Sequence, residues 1–260
     1  MGACIKGILL MLGISFQLIY GSPTLSKPAG PYTFLLPPGA VIIDPGHGGR
    51  DPGAVVSHQG SEVFEKDIVL AASLMLREYL QQQMPHIEVH MTRDNDNYFT
   101  LQQRTQQANS VIPPEGTSRV FISIHANAAP AGSAAGFEVW RYPGRKVQRF
   151  LTSEVKDPYF EGLTDSFNLL LQQELEHADS LLAESMHAEL ARSLEGITPD
   201  RGIREENFYV LRFARMPAVL IEMGFMTNPE ELEMLLDEQH LEAIVRAVGD
   251  ALQRFSESLP

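Results

Sequence analysis

The chain has 260 residues and a formal net charge of −13, with 44% hydrophobic and 20% charged residues. That length holds one large domain or two small ones and can bury a substantial core. So acidic a balance argues against nucleic acid and against adhesion to anionic membranes, both of which favour a basic surface.

Residues 1–22 read as a secretory signal peptide, with an uncleaved anchor as the alternative because the positive end is weak and the cleavage site fits poorly. Lys6 precedes an apolar run from Gly7 to Tyr20, too short for a comfortable membrane span, and the small residues Gly21 and Ser22 follow. Removal of this leader takes away Cys4, the single cysteine, and leaves no disulfide or thiolate ligand. Stable membrane insertion is not expected after cleavage. Residues 23–39 form a Pro-rich lead-in, and order is expected from Ala40.

Beyond it, short apolar runs alternate with longer amphipathic ones. Strands are predicted at Ala40–Asp44, Glu88–Thr92, Val120–His125, Gly136–Trp140, Phe208–Leu211 and Ala218–Glu222. Helices are predicted at Glu65–Gln82, Phe99–Ala108, Asp165–Leu194, Glu230–Leu236 and Glu238–Phe255. The alternation indicates the α/β class, a layered sheet with ligands at the carboxyl ends of its strands. No internal repeat or second domain is evident.

Three apolar runs end in residues suited to a metal site. VIIDPGH ends at His47, FISIH at His125 and AVLIE at Glu222. Glu65 opens the first helix, where a carboxylate suits the positive helix end. Two imidazoles and one carboxylate would hold zinc with a coordination place open, and a further carboxylate would move the proton. Taken singly, each is more often a structural residue, and Glu62, one helical turn away, rivals Glu65 by spacing alone. Asp44 is placed either to orient a ligand or to shape the turn.

Together the segments IIDPGHGGRDPGA, EKDIVLAASLMLREYL, MTRDNDNYFTLQQRTQQAN, FISIHANAA, GFEVW and PAVLIEMGFMTNPEE resemble, in order, the motifs of zinc-dependent N-acetylmuramoyl-L-alanine amidases. These are bacterial cell-wall hydrolases. The resemblance covers roughly 41–255 and implies a catalytic domain at 40–257, with a mixed, mostly parallel sheet of about six strands flanked by helices. It implies one Zn2+ per chain held by His47, Glu65 and His125, which decides against Glu62, and Glu222 as the catalytic carboxylate. The implied substrate is peptidoglycan, cut between N-acetylmuramic acid and L-alanine, during wall remodelling or daughter-cell separation. The implied location is the periplasm or another part of the cell envelope, and the protein is expected to be a monomer.

The segment 141–176 is longer than a strand-to-helix connection requires. In some members of the family an inhibitory helix is inserted here and removed by a partner, so an activator protein acting on this segment is expected. Glu161 and Glu174 are acidic residues there that could reach a metal. The alternative is that Phe167, Leu170, Leu171, Leu175, Ala178 and Leu182 pack one long helix on the core. Two other functions compete, a zinc peptidase cutting within the stem peptide and a wall-binding protein without catalysis.

Overall fold

The computed structural model describes residues 34–130, 132–144, 150–151 and 158–259. The expected leader and most of the Pro-rich lead-in lie outside the described residues. The chain forms two compact units, residues 30–148 with 171–260, and residues 1–29 with 149–170.

The first unit is built on a six-stranded sheet whose strands lie, from edge to edge, in the order Glu88–Met91, Pro38–Pro45, Ser118–Asn127, Ala218–Phe225, Phe137–Arg141 and Asp200–Glu205. Its strands are β1 (Pro38–Pro45), β4 (Glu88–Met91), β5 (Ser118–Asn127), β6 (Phe137–Arg141), β7 (Asp200–Glu205) and β8 (Ala218–Phe225). A hairpin of β2 (Val55–His58) and β3 (Ser61–Phe64) stands apart. The helices are α1 (Glu65–Gln83), α2 (Leu101–Ser110), α3 (Pro158–Ser193), α4 (Tyr209–Phe213), α5 (Pro229–Leu236) and α6 (Glu238–Ser258). All sheet pairings are parallel except β6 with β8, so the expected mixed α/β sheet is the one observed.

Alternation along the strands decides what each face does. Val41, Ile43, Val120, Ile122, Ile124, Val139, Val219 and Ile221 pack in one buried cluster with Val69, Leu76 and Leu80 of α1 and Ile244, Val248 and Phe255 of α6. Each fully buried side chain of this size contributes about 2 kcal/mol. The other face carries Ile42, Phe121 and Leu220 beneath the short α2 and α4. Continued toward the carboxyl ends, this second row becomes Asp44, Ser123, His125 and Glu222. The polar rim therefore grows out of the thinly covered face.

Two expectations are corrected. Phe208–Leu211 is not a strand. It contributes to the single turn α4, with Val210 and Leu211 buried against the sheet. The sixth strand is instead Asp200–Glu205, whose sequence DRGIRE hid it. As an edge strand paired only with β6, it needs little apolar surface.

Helix α3 begins earlier than expected, and its described part divides in character. Leu175, Ala178, Leu182, Met186 and Leu190 are buried, whereas Leu163, Leu169 and Leu170 are exposed. In the second unit, Asn168 ties the chain to the helix. Its Oδ1 accepts from the backbone of Phe150 and Leu151, and its Nδ2 donates to Leu151 O. Glu174 accepts from the backbone N–H groups of Phe34 and Leu35. Neither Glu161 nor Glu174 joins a metal-type cluster among the described residues.

Candidate functional site

The loop after β1 turns sharply because His47 itself has φ of 57°, a left-handed conformation rare for a side-chain-bearing residue, and Gly48 and Gly49 follow with positive φ. Two other glycines make room for the site's own side chains. A Cβ on Gly46 would overlap the His125 ring, and one on Gly53 would strike Glu65 and His47. Much of the glycine crowding seen in the sequence thus makes room for the side chains of His47, Glu65 and His125.

The same loop caps α1. Phe64 offers no side-chain cap; instead Glu65 N donates to Ala54 O at 2.9 Å and Lys66 N to Pro52 O at 3.2 Å. Ala54 N in turn donates to Glu65 Oε2 at 2.9 Å. Glu65 is thereby fixed by the loop that carries His47.

His47, Glu65 and His125 come together, with one ligand atom from each all within 4.8 Å of one another. Glu65 Oε1 lies 3.1 Å from His47 Nε2 and 3.0 Å from His125 Nδ1. Burial opposes ionisation of Glu65, but hydrogen bonds from His125 and His47 outweigh it and hold the carboxyl well below the usual carboxylate range. Burial also works against a charged His47, yet Glu65 and Asp51 leave its pKa raised. Asp51 Oδ2 is 3.0 Å from His47 Nδ1, the ring nitrogen that does not face Glu65. A nitrogen, an oxygen and a nitrogen drawn together only by shared protons form a donor set that fits a divalent cation such as zinc. Glu62, the rival by spacing, lies exposed on β3 outside this cluster.

Glu222 is the direct cross-strand partner of His125 and of Glu138. Its Oε2 is sealed from solvent and has no hydrogen-bond partner among the described residues. Burial, opposed by His125 and reinforced by Glu65 and Glu138, pushes its carboxyl up to about 7. A carboxylic acid near neutrality can take and return a proton at ordinary pH.

Two arginines, not singled out by their place in the sequence, hold the loop from behind. Arg104 Nη1 donates to Asp44 Oδ1 at 2.8 Å and to Pro45 O at 2.6 Å, and its Nη2 donates to His47 O. Arg93 donates to Pro45 O at 3.0 Å and to Gly46 O at 2.6 Å. Both arginines are 3% exposed. Asp44 accepts further from Thr92 Oγ1 at 2.5 Å and Ser123 Oγ at 2.8 Å. Asp44 does not touch a ligand ring. It seats Arg104, which grips the His47 backbone. The signal lay inside MTRDNDNYFTLQQRTQQAN, two arginines facing a strand that ends in aspartate. Glu138 was missed too, although a glutamate inside the apolar run GFEVW gave the same hint as the one ending AVLIE.

A model of the N-acetylmuramoyl-L-alanine amidase family matches residues 41–254. N-acetylmuramoyl-L-alanine amidase CwlM of Bacillus licheniformis is 32% identical over 82% of this chain and 67% of its own. Probable cell wall amidase LytH of Staphylococcus epidermidis is 28% identical over 84% of this chain, which spans only 58% of that protein. The crystal structure of N-acetylmuramoyl-L-alanine amidase from Clostridium difficile 630 superposes with a TM-score of 0.65 at 28% identity, covering 86% of this chain and 99% of that one. With the ordered motifs, the sheet and the His–Glu–His cluster already in place, this chain belongs to the N-acetylmuramoyl-L-alanine amidase family.

Proposed function

We propose that the protein hydrolyses the amide between the lactyl group of N-acetylmuramic acid and L-alanine in peptidoglycan, with one zinc ion held by His47, Glu65 and His125. The observation that carries this reading is an unpartnered, buried carboxylate oxygen of Glu222 on the strand beside His125. Zinc bound there would supply a Lewis acid for the scissile carbonyl and lower the pKa of water. Glu222 takes a proton from the attacking water as the new C–O bond forms. It returns that proton to the nitrogen as the C–N bond breaks. Glu65, kept ionised by its two imidazole neighbours, stays a donor to the cation and takes no part in proton transfer.

An envelope location, export by residues 1–22 and a part in wall remodelling or daughter-cell separation accompany this proposal. The relatives' names as cell wall amidases support the location, and no described helix is long and apolar enough to cross a membrane. A catalytic monomer spanning 40–257, and an activator acting on 141–176, belong to the same reading.

Product identification on purified peptidoglycan tests it. Zinc-loaded protein should release whole stem peptides with a free L-alanine amine, and chelation should stop it. Release of single amino acids would replace the amidase with a peptidase, and binding without any product would leave a wall-binding protein.

A further inference from the structure

The rim does not stop at Glu222. His125, Glu222 and Glu138 are direct partners across β5, β8 and β6, and β7, the next strand outward, brings Arg201 and Arg204. Directly opposed residues on neighbouring strands share a face. Arg204 lies opposite Trp140, two residues along β6 from Glu138 and so on its face, and Arg201 falls at the register shift beside Glu138. The imidazole and two carboxyls thus lead on to two guanidiniums.

Glu138 is 2% exposed and both its oxygens are occupied. Oε1 meets Arg201 Nε at 2.5 Å and Arg204 Nε at 3.2 Å. Oε2 accepts from Asn127 Nδ2 at 3.1 Å and Trp140 Nε1 at 3.0 Å. One carboxylate thus holds two guanidiniums by their inner nitrogens, leaving their outer forks unmatched. Arg201 Nη1 makes one long contact with Ala135 O at 3.4 Å, while the terminal nitrogens of Arg204 have no protein partner among the described residues. Arg204 is 42% exposed and sits over the Trp140 ring, 5.8 Å from its centre. A stabilising ion pair would engage the planar fork with two carboxylate oxygens, the geometry in which arginine binds best. Here an anchored fork faces outward, in a cluster with one net positive charge on a chain of net charge −13.

Resting on the amidase reading above, we infer that Arg204, seated with Arg201 on buried Glu138, binds a carboxylate of the stem peptide on the leaving side of the scissile amide. The glycan side of that bond offers neutral sugars, whereas the peptide side offers carboxylates. Strands lie about 4.8 Å apart, so β7 stands roughly 10 Å beyond β8. An extended peptide advances about 3.4 Å per residue. The second or third residue then comes within reach of a long arginine side chain.

Three synthetic N-acetylmuramoyl tripeptides, each with the C-terminal α-carboxyl of its third residue amidated, separate the two carboxylates: L-Ala-D-isoglutamate-L-Lys, its D-isoglutamine counterpart, and L-Ala-D-isoglutamine-meso-diaminopimelate, which keeps its side-chain carboxylate. Arg204 recognition of the second residue predicts that the isoglutamine-lysine probe has kcat/KM about 10- to 100-fold below the isoglutamate probe, chiefly through KM. Recognition of the third residue predicts instead that the two lysine probes are equal and that the diaminopimelate probe exceeds both by a similar factor. In either case Arg204→Ala removes the preference, and Arg204→Lys keeps part of it. Equal kcat/KM on all three probes, or an equal loss on all three in Arg204→Ala, overturns the proposal. Calorimetric binding of the same probes to zinc-loaded Glu222→Gln and to its Arg204→Ala derivative reads recognition without turnover. If the wild-type protein cleaves none of the probes, the amidase reading fails. The binding preference then decides on Arg204 alone, and its absence sinks that role.

Discussion

Around His47, Glu65 and His125 the loop backbone and the Glu65 carboxylate are tied down, whereas farther along the rim Glu222 and Arg204 keep charge-bearing atoms with no hydrogen-bond partner among the described residues. The first region is gripped through main-chain carbonyls by Arg93 and Arg104, and Glu65 has both oxygens engaged. In the second, Glu222 Oε2 is bare, and its charged neighbours Glu65 and Glu138 work against its ionisation. Under the proposed function, the difference follows from what each part would do. Groups that hold a cation benefit from being fixed before it arrives. Groups that exchange protons or meet a substrate must be left without a permanent companion, and the fold tolerates the instability.

This contrast is sharpest in the site itself. Replacing His47 or His125 with alanine should remove zinc and hydrolysis together, read by metal analysis beside product release. Glu222→Gln should keep its zinc while turnover falls by more than about 100-fold. Near-normal rates in that variant would take Glu222 out of the chemistry.

Next in size, Arg104→Ala strands buried Asp44 and frees the His47 carbonyl. Stability should fall by about 3–5 kcal/mol in urea unfolding, and zinc affinity by roughly 10- to 100-fold. Unchanged zinc affinity in a folded variant would show that the grip on the loop does not matter for the ion.

The Glu222 region should show the opposite sign. Its folded-state pKa of about 7 lies above the ordinary value of 4.5. The penalty is therefore absent below pH 4.5, grows as pH rises and is complete above 7. Glu222→Gln should stabilise the metal-free protein by on the order of 3 kcal/mol at pH 8, and by less than about 1 kcal/mol near pH 5. A gain of equal size at both pH values would contradict the assignment. Smallest of all, Thr100→Ala breaks the capping box with Gln103 at the start of α2 and should lower stability by about 1 kcal/mol. No change in thermal unfolding would mean that α2 is held by Arg104 alone.

Much of the rim could be read from the chain because its residues end apolar runs. His125 and Glu222 close the apolar runs of strands β5 and β8, whose pattern is plain, and the motif order selected Glu65 over Glu62. What stayed hidden depends on long-range pairing. Asp200–Glu205 is a strand only because β6 offers it hydrogen bonds, and nothing in DRGIRE announces that. Phe208–Leu211 carries β-forming aromatic and branched residues, yet burial of Val210 and Leu211 favours one helical turn. Arg93 and Arg104 look like surface residues in a polar segment, and their burial follows from meeting Asp44 and three successive carbonyl oxygens.

The left-handed backbone at His47 has a further implication for how the protein matures. An isolated chain avoids that conformation by about 1 kcal/mol or more, and Arg104 reaches the His47 carbonyl only once α2 has docked on the sheet. An unfolded polypeptide therefore carries no ready-made half of the cluster. Under the proposed zinc reading, capture of the ion would be one of the last events of maturation, at whatever place folding is completed.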